Sequence, residues 1–337
     1  MRAPVLTWDE SWLDMEPDEL YLRCGPAHGA PSSEQYSWSF TRESPPYLVA
    51  TEFPWLGLPG EVLEGRSVMT IAGSGDLPLF FLAMGARRVV AVDVSLEACF
   101  FCELKRSILR NLEWEDALRF LLADLAAPRG FLKAMGIPST LGADERLRLY
   151  GLARHDLSRL ARDRWDRPMN NPRAGRSPFG GFRGPAGLCF LDHIPYLTSQ
   201  ENYELWRERS APYPILNLPI QQAAPASRVP FDILYLSNVL EYWREDHLTH
   251  GTREAFLSRL EQFILDCWRI LSPGGDLYFY VFESAEGDGF ESFREEFAPL
   301  LPHGGRREVR EISYACSSIP GSRFRNTILR YHKPSSS

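Results

Sequence analysis

Two glycines and an aspartate in residues 67–93 have the types and the spacing of a nucleotide-binding site. A short apolar run precedes Gly73 and Gly75, and a second, β-branched run ends on Asp93. Glycine allows a sharp backbone turn and lets a ligand approach where a Cβ would clash. A carboxylate at the tip of a strand can accept hydrogen bonds from both hydroxyls of a ribose. We therefore predict that Gly73, Ser74, Gly75 and Asp93 bind a ligand that contains a nucleoside.

The glycine turn departs from the pattern of dinucleotide-binding enzymes. Those enzymes use G-x-G-x-x-G and place a pyrophosphate on the N-terminus of the following helix. Here Pro78 stands in place of the third glycine, and Asp76 occupies the position that would face the pyrophosphate. A carboxylate there disfavours a dinucleotide and suits S-adenosylmethionine (SAM), which carries ribose and adenine but no phosphate. The alternative is a strand–helix–strand unit that binds no ligand.

Further polar candidates follow later strands. Residues 231–236 form an apolar run typical of a strand that is buried on both faces, and Ser237, Asn238 and Glu241 follow it. Polar residues at the carboxyl end of a central strand face the ligand crevice, so we predict that these three are the catalytic residues. Their alternative role is to cap the next helix. Gln221, after the predicted third strand, is a further candidate for SAM binding.

The N-terminal segment is rich in aromatic residues and is interrupted by prolines, with no long periodic helix. One interpretation is that its aromatic side chains only pack on the main domain. The other is that the segment caps the nucleotide pocket, where an aromatic face would attract a sulfonium cation. On the second interpretation, Tyr36 and Trp38 are candidates for SAM binding.

These candidates require a parallel sheet to position them. The order strand, glycine turn, helix, strand is typical of the first half of a doubly wound α/β sheet. The elements predicted beyond it are a helix at 95–112 with 113–125 as its candidate continuation, a third strand at 213–218, a helix at 253–271, a fifth strand at 276–282, and a final antiparallel pair ending with a strand at 323–331.

The chain divides into an N-terminal aromatic cap segment (1–66), the first half of a SAM-binding domain (67–125), an insertion (126–212) and the second half of that domain (213–333). The insertion precedes the third strand. It contains a charged helical stretch at 143–165 and a loop at 172–187 that is rich in Gly, Pro and Arg. A long insertion of this kind is where acceptor specificity has to be built, so we predict that it forms an acceptor lid.

Composition and charge argue against several classes of function. The chain has 337 residues and a net charge of −7, and no run of Lys or Arg exceeds two residues. We therefore expect no nucleic-acid partner and no electrostatic docking on an anionic membrane. No window approaches the ~20 apolar residues of a membrane-spanning helix, and the N-terminus lacks the pattern of a secretory signal. With the six cysteines interpreted as reduced, these features predict a cytoplasmic protein.

A C-x-x-C pair, Cys99 and Cys102, lies inside the helix predicted at 95–112. A zinc site would need a second Cys or His pair at matching spacing, and a redox site would need the pair at the start of a helix. We interpret the two cysteines as core residues and predict no metal.

The order of elements resembles the class I SAM-dependent methyltransferase fold, over residues 67–333 without the insertion. The resemblance implies a Rossmann-like sheet that uses SAM as co-substrate, but it does not name the reaction. A narrower resemblance is carried by VMTIAGSGD, by VVAVDVS and by ELKRSILRNLEWEDALRFL, which includes Leu104 and Lys105. These segments are similar to the 3-amino-3-carboxypropyltransferases of betaine-lipid synthesis, which act on diacylglycerol.

The narrower resemblance implies that the 3-amino-3-carboxypropyl arm of SAM is transferred and that methylthioadenosine is released. The acceptor would be a small molecule or a lipid. Three alternatives stay open: a SAM cyclase that forms azetidine-2-carboxylate from SAM alone, a small-molecule methyltransferase, and a SAM-binding protein without turnover. The sequence does not predict the oligomeric state.

Overall fold

A seven-stranded sheet forms the centre of the described part of the protein. The computed structural model describes residues 7–24, 40–58, 60–126, 128–170, 177–183, 188–282, 305–315 and 321–335. The strands are β1 (Ser67–Ile71), β2 (Arg88–Val92), β3 (Ile215–Leu216), β4 (Phe231–Tyr235), β5 (Leu271–Val281), β6 (Arg306–Tyr314) and β7 (Phe324–His332). Their order is β3-β2-β1-β4-β5-β7-β6, and β7 runs antiparallel to β5 and β6 while the other pairs are parallel. The predicted fold, a doubly wound Rossmann-like sheet of the class I methyltransferase type, is confirmed.

The strand order reverses at β1. From β1 the chain proceeds outward to β2 and β3, and β4 returns to pair with the other side of β1. In an open α/β sheet, a ligand binds outside the carboxyl ends of the strands at such a reversal. The central strands are apolar and almost wholly buried because helices cover both faces.

The helices are α1 (Pro17–Arg23), α2 (Asp76–Ala83), α3 (Leu96–Asn111), α4 (Trp114–Leu122), α5 (Arg129–Ala134), α6 (Ala143–Arg154), α7 (Arg159–Met169), α8 (Leu188–Leu191), α9 (Pro195–Thr198), α10 (Gln200–Arg209), α11 (Ile220–Ala226), α12 (Val239–His250) and α13 (Arg253–Ile270). On one face of the sheet, α11 and α12 pack on α13. On the other face, α6 and α7 pack on α3, and α10 packs on α2. Three helices of the insertion, α6, α7 and α10, therefore form an outer layer over α2 and α3. Among the described helices, none combines the length and the hydropathy that crossing a membrane requires.

Several boundaries differ from the sequence predictions. The candidate continuation of α3 is a separate helix, α4, because the chain is extended at Leu112 and Glu113. The helical stretch at 143–165 is two helices, since the Ser158 hydroxyl caps α7 by accepting from the Ala161 amide. The third strand is shorter than predicted. The fifth strand begins at Leu271 and includes the Ser-Pro-Gly-Gly sequence, where its register against β4 is irregular.

Candidate functional site

A pocket lies at the carboxyl ends of β1, β2 and β4. Its described walls come from residues 40–52 (which we call the strap), the turn after β1, the end of β2, the start of α11 and the junction of β4 with α12. It encloses about 1020 Å³ of empty space, including its open mouth. Within the described residues, the insertion contributes nothing to these walls. The strap belongs to the N-terminal segment, for which one interpretation of the sequence was a cap over the nucleotide pocket.

The strap is held in position along its length. The Leu96 amide donates to the Arg42 carbonyl at 2.9 Å, which ties the start of the strap to α3. Farther along, the Arg183 amide donates to the Pro46 carbonyl at 2.8 Å, and the Leu48 amide donates back to the Arg183 carbonyl at 3.0 Å. These bonds form a short parallel bridge between the strap and the insertion, so the strap is built into the fold as a wall of the pocket.

Asp93 ends β2 at the floor of the pocket. Its Oδ2 accepts from the Gly73 amide at 2.8 Å, and its Oδ1 accepts from the Ser95 amide at 2.9 Å. Burial raises the pKa of the Asp93 carboxyl to about 6, although these two amide bonds act in the opposite direction. Because each carboxylate oxygen has a further lone pair, Asp93 can still accept hydrogen bonds from a ligand.

The glycine turn brings the chain from β1 into α2. Gly73 and Ser74 line the pocket, whereas Gly75 does not. Gly75 has a φ of +85°, and a Cβ on it would lie 3.3 Å from the Cα of Cys102 in α3. A side chain there would be strained and would crowd the next helix, so this glycine is required for packing as well as for the turn. Cys102 and Cys99 are free and buried in the core.

The residues after β4 separate into two groups. Ser237 and Asn238 line the pocket, and so does Gln221 at the start of α11. Ser237 has a φ of +57°, an uncommon conformation for a residue other than glycine and one found often at functional sites. Glu241 is not a lining residue, and its carboxylate accepts from the Phe282 amide at 3.4 Å. The candidates Tyr36 and Trp38 lie outside the described residues.

Glu52 is a pocket residue that the sequence prediction missed. It belongs to the strap and is only 5% exposed. The Tyr235 hydroxyl donates to its Oε2 at 3.0 Å, and the Ser237 hydroxyl donates to its Oε1. No cation pairs with it within the described part of the chain. Burial raises the pKa of the Glu52 carboxyl to about 7, and the two hydroxyl bonds lower it.

Asp76, at the start of α2, is buried at the base of the strap. Its Oδ1 accepts from the Lys105 ammonium at 2.8 Å and from the Tyr196 hydroxyl at 2.7 Å. Its Oδ2 accepts from the Ala50 amide at 2.6 Å, and Lys105 donates a second bond to the Leu48 carbonyl at 2.8 Å. The buried pair of Asp76 and Lys105 therefore joins α2, α3, the strap and the insertion. Neither residue lines the pocket.

The pocket has an anionic and partly aromatic wall. Of the described residues that line it, two are acidic, Glu52 and Asp93, and none is basic. Tyr47 of the strap and Tyr242 of α12 line one part of it, with their hydroxyl oxygens 3.2 Å apart. Arg183 contacts the ring of Phe40 at 4.5 Å but does not itself line the pocket. Such a wall favours a ligand that carries a positive charge. In the described residues no three potential metal ligands lie close together.

Comparison with known proteins gives a distant structural likeness. No family model matches the chain, and no curated protein matches it. One similar structure is the N-methyltransferase NodS from Bradyrhizobium japonicum WM9, in complex with S-adenosyl-L-homocysteine. The two share 11% identity, 80% of this chain and 78% of that chain are covered, and the TM-score is 0.34. An rRNA methylase from Streptococcus thermophilus shares 12% identity over 82% of this chain and 92% of its own, with a TM-score of 0.31. The site is therefore interpreted from its own geometry.

Proposed function

We propose that the protein is a SAM-dependent transferase. The observation that carries this proposal is the charge of the pocket at the strand-order reversal: two carboxylates line it, the buried Glu52 and the partly buried Asp93, and no described lining residue is a cation. SAM has a sulfonium cation and a ribose and lacks phosphate, so it suits such a pocket. A dinucleotide would bring two negative charges to the same place, which the carboxylates would repel.

Individual residues have the following roles in this proposal. Asp93 accepts hydrogen bonds from the ribose hydroxyls, and the backbone at Gly73 and Ser74 lies beneath the methionine arm. Gln221 and Asn238 provide amide groups that donate to or accept from the polar ends of the ligand. Glu241 has no place in the proposed site, because it lies outside the pocket wall.

We further propose that the 3-amino-3-carboxypropyl arm is the group transferred. The support for this step is the sequence resemblance around Leu104 and Lys105. In the structure Lys105 belongs to the buried ion pair beneath the strap, so that resemblance concerns the framework of the site. The enzyme would select the carbon attacked by aligning it with the nucleophile, because in-line geometry governs such displacements. Attack on the methyl group would give S-adenosylhomocysteine instead.

The experiment is to identify the nucleoside product. Purified protein is incubated with SAM alone and with SAM plus candidate acceptors, and the products are separated by mass, with heat-denatured protein as the control for spontaneous breakdown. Methylthioadenosine above that background supports transfer of the aminocarboxypropyl arm. S-adenosylhomocysteine would identify a methyltransferase. Tight binding of SAM without any turnover would identify a SAM-binding protein.

A further inference from the structure

We propose that the nucleophile is an amine and that Glu52 binds it as the ammonium ion and takes its proton. This inference rests on the proposed function, in which SAM is the donor. It adds a class of substrate and a catalytic residue, and neither was apparent from the sequence.

The position of Glu52 supports this role. Its carboxylate is in the pocket wall, beside Ser237 at the carboxyl end of β4. Both oxygens accept hydrogen bonds from hydroxyl groups, those of Ser237 and Tyr235, and these bonds fix the orientation of the carboxylate. Because each oxygen has a second lone pair, the group can still accept a hydrogen bond from a ligand. The described residues supply no cation to this carboxylate, so a cationic ligand would compensate its charge when it is ionised.

The surroundings favour an amine over other nucleophiles. An ammonium ion would gain from the carboxylate and from the nearby rings of Tyr47 and Tyr242, since aromatic rings attract cations. An alcohol of the same shape could donate a hydrogen bond to the carboxylate, but it would lack both the charge–charge attraction and the attraction of a cation to the rings. A carboxylate or phosphate acceptor would be repelled by Glu52 and Asp93 together. The charge and the rings of the wall therefore distinguish an amine from both alternatives.

The proton and the electrons balance in a simple sequence. The ammonium gives one proton to the Glu52 carboxylate and becomes a neutral amine with a free lone pair. That lone pair attacks a carbon bound to the sulfonium, so a C–N bond forms while the C–S bond breaks. The electrons of the broken bond stay on sulfur, which becomes a neutral thioether, and the product nitrogen carries the positive charge. Glu52 then releases its proton to solvent.

The acid–base properties of Glu52 suit this step. A general base works best when its pKa lies near the working pH, and burial raises the pKa of this carboxyl to about 7. Tyr235 and Ser237 act as positioning residues, because they hold the carboxylate and lower its pKa. The buried Tyr280 hydroxyl is a further titratable group close enough to interact with Glu52 electrostatically.

The amine has two possible sources, a separate acceptor or the α-amine of SAM itself. A separate acceptor would give an alkylated amine. The α-amine would close an azetidine ring without any acceptor. The chemistry at Glu52 is the same in both cases, and the two can be separated by experiment.

The test combines ligand binding with product analysis, in wild-type protein and in Glu52→Gln. The probes are 2-phenylethylammonium and the matched alcohol 2-phenylethanol, measured by ligand-observed NMR at pH 8 with the protein saturated with S-adenosylhomocysteine. We expect wild type to prefer the ammonium by roughly tenfold or more, as for a charge-assisted hydrogen bond. Glu52→Gln should lose that preference. Glu61→Gln makes the same substitution at an exposed residue outside the pocket and should retain the preference, which ties the loss to the Glu52 carboxylate.

Calorimetry with SAM and with S-adenosylhomocysteine then assigns the source of the amine. A separate acceptor leaves both affinities of Glu52→Gln within about threefold of wild type, a change under 1 kcal/mol. If Glu52→Gln loses affinity for SAM and for S-adenosylhomocysteine equally, and wild type forms azetidine-2-carboxylate from SAM alone, the nucleophile is the α-amine of SAM. Loss of SAM affinity alone would show that Glu52 faces the sulfonium and would overturn the inference. The inference would also be overturned if wild type binds SAM but forms no azetidine-2-carboxylate and does not prefer the ammonium to the alcohol. Such a protein would show no interaction with an amine. Failure of wild type to bind SAM would instead refute the proposed function.

Discussion

Asp76 of α2 and Glu52 of the strap are two buried carboxylates with different surroundings, and Asp76 contacts the strap at Ala50, two residues from Glu52. Asp76 has an ammonium, a tyrosine hydroxyl and a backbone amide as partners, and both it and Lys105 are fully buried. Glu52 has two hydroxyl partners and no cation among the described residues. The first carboxylate has its charge compensated by the protein, and the second does not.

This difference separates the framework from the site. A buried charge is costly unless it is paired, so an ion pair that the protein completes by itself gives a fixed structure. A carboxylate that is left without a cation in a pocket destabilises the free protein and favours a cationic ligand. Perturbed groups of this kind occur often at functional sites. The comparison predicts opposite responses when each charge is removed.

The largest effect should come from breaking the Asp76 pair. Lys105→Met leaves the Asp76 charge buried and unpaired, and removes the bond from Lys105 to the Leu48 carbonyl in the strap. Loss of one partner of a buried pair costs about 3–5 kcal/mol, and we expect the free energy of unfolding to fall by that amount in urea. Arg159→Met is the matched control. It breaks a pair with Asp163 whose side chains are both 64% exposed, and it should change the stability little. Similar stabilities of the two variants would contradict the framework role.

Removing the Glu52 charge should stabilise the free protein. Wild type holds the Glu52 proton up to about pH 7, whereas the unfolded chain loses it near 4.5. Unfolding therefore releases a proton between these values, and wild-type stability falls as the pH rises through this window. Glu52→Gln has no carboxyl group at this position to titrate, so its stability should not fall for this reason as the pH rises. Without ligand it should be more stable than wild type by about 3 kcal/mol above pH 7, and the difference should vanish below pH 4.5.

Urea unfolding at a series of pH values checks this prediction. Glu61→Gln is the control, because Glu61 is exposed at the surface and the same substitution there should give a curve parallel to wild type. If the curves for Glu52→Gln and wild type are also parallel, the Glu52 carboxyl is not destabilised by burial. The comparison with Asp76 would then lose its basis.

Removing the carboxylate at the end of β2 should weaken SAM binding while the fold is retained. Asp93→Ala deletes the proposed acceptor of the ribose hydroxyls, and loss of a charge-assisted hydrogen bond costs about 1.5–3 kcal/mol. Calorimetry should show that the SAM affinity falls tenfold or more. Asp124→Asn is the control, since Asp124 pairs with Arg146 and does not line the pocket, and asparagine tolerates its positive φ. Unchanged SAM affinity in Asp93→Ala would contradict the site as proposed.

The parts of this arrangement that the sequence predicted are the local ones. The glycine turn, the acid at the end of β2 and the polar tip of β4 are each encoded in a few neighbouring residues. The strand order follows because the alternation of strands and helices allows few topologies. Asp76 was also recognised from its position, as a residue incompatible with a pyrophosphate.

The parts that were missed depend on contacts between distant segments. Glu52 and Ser237 are 185 positions apart, and nothing near Glu52 in the sequence indicates that the strap crosses the end of β4. Tyr235 was part of an apolar run, and its hydroxyl acquires a role only when Glu52 is placed beside it. The sequence analysis left open whether the N-terminal segment caps the pocket or only packs on the main domain, and the strap's place in the pocket wall depends on its bonds to the distant residues Leu96 and Arg183.

The smallest expected effect concerns Ser237, which has an unfavourable backbone conformation and donates a hydrogen bond to the Glu52 carboxylate. In the turn after β1 the residues with positive φ are the glycines Gly73 and Gly75. At the end of β4 the residue with positive φ is a serine, Ser237, with a φ of +57°. Ser237→Gly and Ser237→Ala both remove the hydroxyl that donates to Glu52, and that bond lowers the Glu52 pKa. In both variants the loss of stability with rising pH should therefore extend to higher pH. Only glycine also relieves the left-handed backbone, so Ser237→Gly should be more stable than Ser237→Ala by about 1 kcal/mol in urea. An alanine variant as stable as the glycine variant would show that the backbone there is unstrained. The expected order would show that the serine beside Glu52 is held in a strained backbone conformation.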